Sequence, residues 1–184
     1  MDDKDLQIEN LLDSKKPKKK VDGKAKGDRT ELHLCKLFGE HFGEEFSRAL
    51  GSGARIWQVG QLPEHAKKTL TGDICAPEKF KWVIESKGGY EDDMNLANAL
   101  DGEGLLQLDK FIEQVSHDSE YCKRKPIICW KRNRKPWLAC IREEDFTPIG
   151  FERKFPYRLH YREWIMVSLE ELLELTEKDF WFDV

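Results

Sequence analysis

A strand-like run that ends in charge constrains this chain more than any other feature. Trp82-Val83-Ile84 is aromatic and β-branched, as a buried strand requires, yet it continues directly into Glu85-Ser86-Lys87. Side chains alternate along a strand, so Glu85 and Lys87 share one face and Ser86 points to the other. Upstream, Gly72-Asp73-Ile74 opens a short apolar stretch, and Pro77-Glu78-Lys79 supplies turn chemistry before Phe80. The pattern predicts a hairpin from Asp73 to Lys87 that brings two carboxylates and one ammonium together. Two carboxylates and a backbone carbonyl suit Mg²⁺, which prefers oxygen ligands, and a lysine beside it orients a water. Such a set is suited to phosphodiester hydrolysis. In a chain that is 36% charged, the same residues also read as a solvated strand end or a surface ion pair.

The length of 184 residues fits one domain with an appended tail. No run approaches the ~20 apolar residues of a membrane span, and Met1-Asp2-Asp3-Lys4-Asp5 lacks the basic and then apolar order of a secretion signal. A soluble, intracellular protein with no membrane partner is expected. The cysteines, Cys35, Cys75, Cys122, Cys129 and Cys140, are scattered and mostly apolar in context, so they read as reduced core residues. Neither they nor the histidines show zinc-site spacing.

The net charge of −4 hides an uneven distribution. Lys15, Lys16, Lys18, Lys19, Lys20, Lys24, Lys26 and Arg29 are opposed only by Asp22 and Asp28. Residues 1–29 are therefore expected to form a disordered basic arm that grips DNA phosphates or serves as a solubilising tail. The run Lys15-Lys16-Pro17-Lys18-Lys19-Lys20 also looks like a nuclear import signal, so the expected compartment is nuclear in a eukaryote and cytoplasmic otherwise. A second basic cluster spans Lys123-Arg124-Lys125 and Lys131-Arg132-Asn133-Arg134-Lys135. From it, Arg132 and Arg134 are candidate DNA contacts.

Thr30 is positioned to cap a helix over residues 31–46, with Leu32, Cys35, Phe38, Phe42 and Phe46 on one face and Glu31 in the first turn. The stretch to Leu70 reads as loop, with glycines around Ser52 in Gly51-Ser52-Gly53 and a short strand over 56–59. After the polar connection 88–104, a helix over 105–117 places Leu105, Leu108, Ile112 and Val115 on one stripe and Gln107, Phe111 and Gln114 on another. Residues 125–130 and 136–141 read as two strands joined by the basic turn, and 157–167 as one or two more. Ser168 and Glu171 resemble a capping box for a helix over 169–176. Phe180-Trp181-Phe182 either docks on the core or offers a peptide to a protein partner.

The order of a helix with an early Glu31, then Asp73, Glu85-Ser86-Lys87 and a following helix with Gln107 resembles the PD-(D/E)XK nuclease superfamily. Within it, the Gly-Ser-Gly loop, the Asp-Ile strand and the apolar strand ending in Glu-x-Lys are similar to archaeal-type Holliday-junction resolvases. The likeness covers about residues 27–141. It implies an α/β, restriction-endonuclease-like core, a mixed central sheet flanked by helices, in a single nuclease domain over 30–184 with a C-terminal extension from about 146. By resemblance, Asp73 and Glu85 would be metal ligands helped by the Ser86 carbonyl, with Mg²⁺ as cofactor and Mn²⁺ as substitute. Lys87 would position the attacking water, Glu31 would complete the acidic cluster, Gln107 would orient a ligand or phosphate, and Ser52 would reach the scissile phosphate. The implied partners are branched DNA and a second copy of the chain. Gly72 stands where the family has proline, a mild change if that proline supplies only backbone shape. The segments 53–72 and 88–104 look longer than in compact relatives, which leaves open a restriction-like or end-processing nuclease, or a binding module without turnover.

Overall fold

The computed structural model describes residues 23–49, 63–90, 104–146 and 154–183, without the side chains of Lys24 and Glu64. The strand expected over 56–59, the Ser52 loop and residues 91–103 lie outside them. Strands β1 (Ser47–Arg48) and β2 (Ile74–Cys75) pair antiparallel as a small ribbon. Strands β3 (Trp82–Gly88), β4 (Lys125–Lys131), β5 (Trp137–Arg142), β6 (Leu159–Tyr161) and β7 (Trp164–Ser168) form a five-stranded sheet in the order β3-β4-β5-β7-β6. Only β3 and β4 run parallel, and the other contacts are antiparallel, so the sheet is mixed. A parallel pair needs a crossover, which helix α3 (Leu106–Cys122) supplies. The expected mixed sheet between helices is the architecture observed.

Strand alternation divides the core in two. On one face, Leu34, Cys35 and Phe38 of α1 (Gly23–Phe42) pack on Ile84, Ile127, Cys129 and Ile141. On the other, Leu108, Phe111 and Val115 of α3 pack on Val83, Ile128, Cys140 and Met166. Each such side chain contributes about 1.5–3 kcal/mol through burial. The same parity that sends Ile84 towards α1 sends Glu85 and Lys87 towards α3. Cys35, Cys122, Cys129 and Cys140 are buried, Cys75 is half-buried, and all are free thiols.

Several expectations are corrected. The hairpin from Asp73 to Lys87 does not form a ladder: β2 pairs with β1, and the main chain ahead of β3 bonds to the C-terminal segment through Lys81 N to Trp181 O and Asp183 N to Lys79 O, both 2.8 Å. With only two residues in β2, a distant segment outcompetes it for those edge groups. Helix α1 begins at Gly23, so residues 23–29 belong to the domain and not to a disordered arm. Lysine, alanine and arginine are good helix formers, and the docked apolar face downstream lets the helix extend through them. Thr30 therefore lies inside the helix, its hydroxyl donating to Lys26 O at 2.9 Å, and Glu31 is no longer in the first turn. The helix ends at Gly43, where φ is +68°, a C-terminal glycine signal that stops it before Phe46. Leu32 is 56% exposed and Leu34 takes its place in the buried stripe.

The stretch read as loop before Leu70 contains α2 (Glu64–Leu70), preceded by Pro63. Seven residues are too few for a periodic signal. Helix α3 runs to Cys122 and closes on Lys123 in the left-handed conformation, a stop that no glycine announces. The strands β4, β5, β6 and β7 fall where expected, as does the helix capped by Ser168, whose Oγ accepts from Glu171 N at 3.3 Å. Short helices α4 (Glu143–Phe146), α5 (Leu169–Leu175) and α6 (Lys178–Trp181) complete the chain. Trp181 and Phe182 are buried against Phe42 and Phe80, so the aromatic tail is core and is not presented to a partner. Among the described residues no helix is long and apolar enough to cross a membrane.

Candidate active site

The sheet edge at β3 is where the apolar strand turns polar. Glu85 is 1% exposed and Lys87 sits beside it on the α3 face, its ammonium donating to Glu85 Oε1 and, at 3.2 Å, to Gln114 Oε1. The ammonium also lies 5.1 Å from the centre of the Phe111 ring. Asp73 reaches the same edge although β2 does not pair with β3. Its N–H donates to Ile84 O at 2.9 Å, and its Oδ2 accepts from Ser86 N at 2.8 Å. Gly72 makes this approach possible. Its φ is +87°, and a Cβ there would stand 2.8 Å from Ile84 O and 2.9 Å from Val83 Cγ2. A proline, with φ near −65°, cannot adopt this conformation, so Gly72 does more than stand in for one.

Burial sets the electrostatics. It raises Glu85 to about 8, with the Asp73 charge adding to the effect and Lys87 opposing it. Burial also raises Asp73, against the pull of Lys87 and the Ser86 N–H. Burial disfavours the Lys87 ammonium, but Glu85 and Asp73 outweigh this and its pKa is raised. Glu85 Oε2 is buried and has no hydrogen-bond partner. Two crowded carboxylates, one with an oxygen unpartnered, form an oxygen donor set that fits a divalent cation such as Mg²⁺, with one ammonium beside it. Among the described residues the set is only two carboxylates strong, since no group of three metal-binding side chains is gathered there.

The other expected site residues divide. Glu31 lies within the field of Asp73, but its carboxylate accepts from Arg48 Nε at 2.7 Å, and Arg48 Nη2 also bonds Asp28. Glu31 is thus tied into a separate ion-pair cluster that joins α1 to β1. Gln107 is half-buried in the first turn of α3, and Gln114, two turns on, is the glutamine that reaches Lys87. Ser52, Lys18, Lys19 and Lys20 lie outside the described residues, as does the side chain of Lys24. Lys26 projects to the end of β3, where its Nζ would be 2.7 Å from a Cβ on Gly89. Arg29 and Arg134 are exposed, and Arg132 is half-buried with its Nε unpartnered.

Sequence reasoning missed Asp118. It is 4% exposed, and burial first and the Asp73 charge second raise it to about 6. Its charge also bears on Glu85. The stripe Gln107, Phe111, Gln114 leads to position 118 by one further helical step, so extending the helix past 117 would have found it.

Among families of known proteins, the model of the one described as "Phage putative PDDEXK endonuclease" matches residues 22–182. Protein D14 of Escherichia phage T5 is 33% identical over 129 residues, which cover 68% of this chain and 74% of D14. A solved structure of Archaeoglobus fulgidus Hjc, a Holliday junction resolvase, is similar at 14% identity over 79% of this chain and 86% of Hjc, with a TM-score of 0.37. That last likeness is too distant to bear on fold or activity.

Proposed function

Since this chain belongs to the phage PDDEXK endonuclease family and is a nuclease, we propose that it is a divalent-cation-dependent DNA endonuclease selective for branched DNA, the four-way junction above all. The observation that supports a catalytic centre at β3 is the buried Asp73 and Glu85 pair with Glu85 Oε2 left without a partner. Asp73 and Glu85, with the Ser86 carbonyl, would hold Mg²⁺, for which Mn²⁺ substitutes. When bound, the cation supplies a Lewis acid that lowers the pKa of water and offsets charge on the phosphoryl oxygens.

The chain's own groups do the positioning. The Ser86 N–H fixes the Asp73 carboxylate, and Glu85 with Gln114 fixes the Lys87 ammonium. From there the remaining N–H of the Lys87 ammonium is left to orient a water for in-line attack, and its charge faces the phosphate. Asp118 adds negative charge behind the pair. Glu31 acts at one remove through Arg48, Gln107 in the first turn of α3 would orient a ligand or a phosphate, and Ser52, outside the described residues, would reach the scissile phosphate. Lys26, Arg29, Arg132 and Arg134, with Lys18, Lys19, Lys20 and Lys24, grip the backbone. The junction preference rests on the motif order shared with archaeal-type resolvases and on the basic turn after β4. Paired cuts in opposed strands need two sites about a two-fold axis, which a homodimer supplies. Such an activity belongs to DNA recombination, repair or replication.

Wild type and Lys87→Ala, each given labelled four-way junction or matched linear duplex in Mg²⁺ or in chelator, test the reading. Paired symmetric nicks are expected in the junction alone, absent with chelator and slowed about 10²–10⁴-fold in the variant. Equal cutting of linear duplex would replace junction selectivity by a restriction-like or end-processing activity. Cutting in chelator would remove the cation requirement.

A further inference from the structure

Lys123-Arg124-Lys125, the basic run after α3, plays no part in the active centre. Its three residues line a cavity of about 220 Å³ together with Lys68 of α2 and Lys81 ahead of β3. The only carboxylates on that wall are Glu78 and Asp183, so five cations face two anions. Lys125 is paired with Asp145 at 3.0 Å, and Lys81 donates to Asp179 O at 2.5 Å. Lys68 and Lys123 have no side-chain partner among the described residues.

Arg124 makes the cavity a built site. It is 6% exposed, and its Nη2 donates to Pro77 O at 2.7 Å and Glu78 O at 3.1 Å. Its Nε is buried without an acceptor. A charged donor left unmade in the interior costs more than a neutral one; Arg124 thus keeps the cavity wall positive, and an anion bearing several oxygens takes short, charge-assisted bonds from the Lys68 and Lys123 ammoniums that line the same cavity. Burial lowers the Arg124 pKa, in keeping with a cation short of compensation.

Spacing along the chain puts the cavity within a few nucleotides of the β3 centre. Lys123 is five residues beyond Asp118 on α3, about 7.5 Å at helical rise. Lys81 is four residues ahead of Glu85, about 13 Å along the strand. Phosphates of one DNA strand advance about 3.4 Å per nucleotide along the helix axis. From this geometry we infer that the cavity between α2, the end of α3 and the start of β3 is a phosphate site, which grips a backbone phosphate of the cleaved strand about two to four nucleotides from the cut bond. The inference rests on the nuclease reading above, while the anion chemistry of the cavity stands apart from it.

Lys68→Ala/Lys123→Ala in the full-length chain tests the site without disturbing buried Arg124. Binding to labelled junction is measured in chelator, so that no strand is cut, across a salt series. The variant is expected to lose about one unit of the log affinity against log salt slope. A single neutral methylphosphonate, two to four nucleotides from the cut, should weaken wild type about tenfold and leave the variant unaffected. Equal slopes, or equal sensitivity to the methylphosphonate in both proteins, overturn a DNA phosphate in this cavity. If wild type binds no DNA at all, the nuclease reading fails first. The Arg124 Nε–H resonance titrated with inorganic phosphate then decides: a saturable shift lost in the double variant supports a site for free phosphate, and its absence overturns the site.

Discussion

Two clusters each set a pair of carboxylates around one cation, and only one of them is balanced. In the Asp28, Glu31 and Arg48 cluster, the guanidinium reaches both acids at once, and all three side chains keep some contact with water. In the Asp73, Glu85 and Lys87 cluster, the ammonium pairs directly with Glu85 alone, Asp73 accepts from the Ser86 N–H and stands against the Glu85 carboxyl, and Glu85 Oε2 lacks a donor. Both sets hold two acids to one base and differ in reach: a planar fork hydrogen-bonds both acids of one set, whereas a point charge pairs with only one acid of the other, in a buried place. The balanced cluster ties α1 to β1. The unbalanced one is poised for a further cation, as sites with strongly perturbed carboxylates often are.

Changing Glu85 should separate the two clusters most sharply. Glu85→Gln is expected to slow cleavage by at least about 10²-fold, through the loss of a carboxylate that would hold the cation. Burial in the folded protein pushes the Glu85 carboxyl from the ordinary carboxylate range up to about 8. A carboxyl raised on folding contributes stability that is fully present below its unfolded pKa and is lost as pH rises through its folded pKa. Asp73 is raised too and acts in the same direction. With chelator present, the melting temperature should therefore fall between about pH 4.5 and 8, less steeply in Glu85→Gln, and Mg²⁺ should restore it most at the alkaline end. A wild-type melting temperature that stays flat across this interval would remove the unbalanced pair from consideration.

Gly72→Pro attacks the approach of Asp73 rather than its charge. A residue confined to φ near −65° cannot hold the observed +87°, so a loss of about 3 kcal/mol or more is expected, along with most of the activity. Denaturant unfolding checks this, and an unchanged midpoint would show that Asp73 is delivered to β3 by another route. Arg48→Ala should have the smallest effect. Its ion pairs are partly solvated, so about 1 kcal/mol and a few degrees of melting temperature are expected, with cleavage changed less than tenfold. A hundredfold loss of cleavage would mean that Glu31 and Arg48 belong to the reacting centre.

The strands and the alternation that places Glu85 with Lys87 were legible because period-two patterning is local and repeats over several residues. Asp73 was legible as an acid ahead of an apolar pair, but its partner was not. A two-residue strand carries too little pattern to declare whether it pairs with β3 or with β1. That Gln114 on this stripe reaches Lys87 depended on how α3 crosses the sheet, which stripes alone leave open by a turn or two. Asp118 was hidden by an underestimated helix length, because Lys123 adopts the left-handed cap without the glycine that would have announced it.

The order of charged and apolar residues by itself determined which charged groups end β3 and which face of the strand presents them, since both follow from spacing along one strand. Only the tertiary structure decided their company. Whether Glu31 stands alone or is held by Arg48, whether Arg124 bonds the main chain of Pro77 and Glu78, and whether the C-terminal aromatics are free or core are all questions of which distant backbone and side-chain groups compete for the same partners. Such competition is settled by packing and leaves no trace in local periodicity.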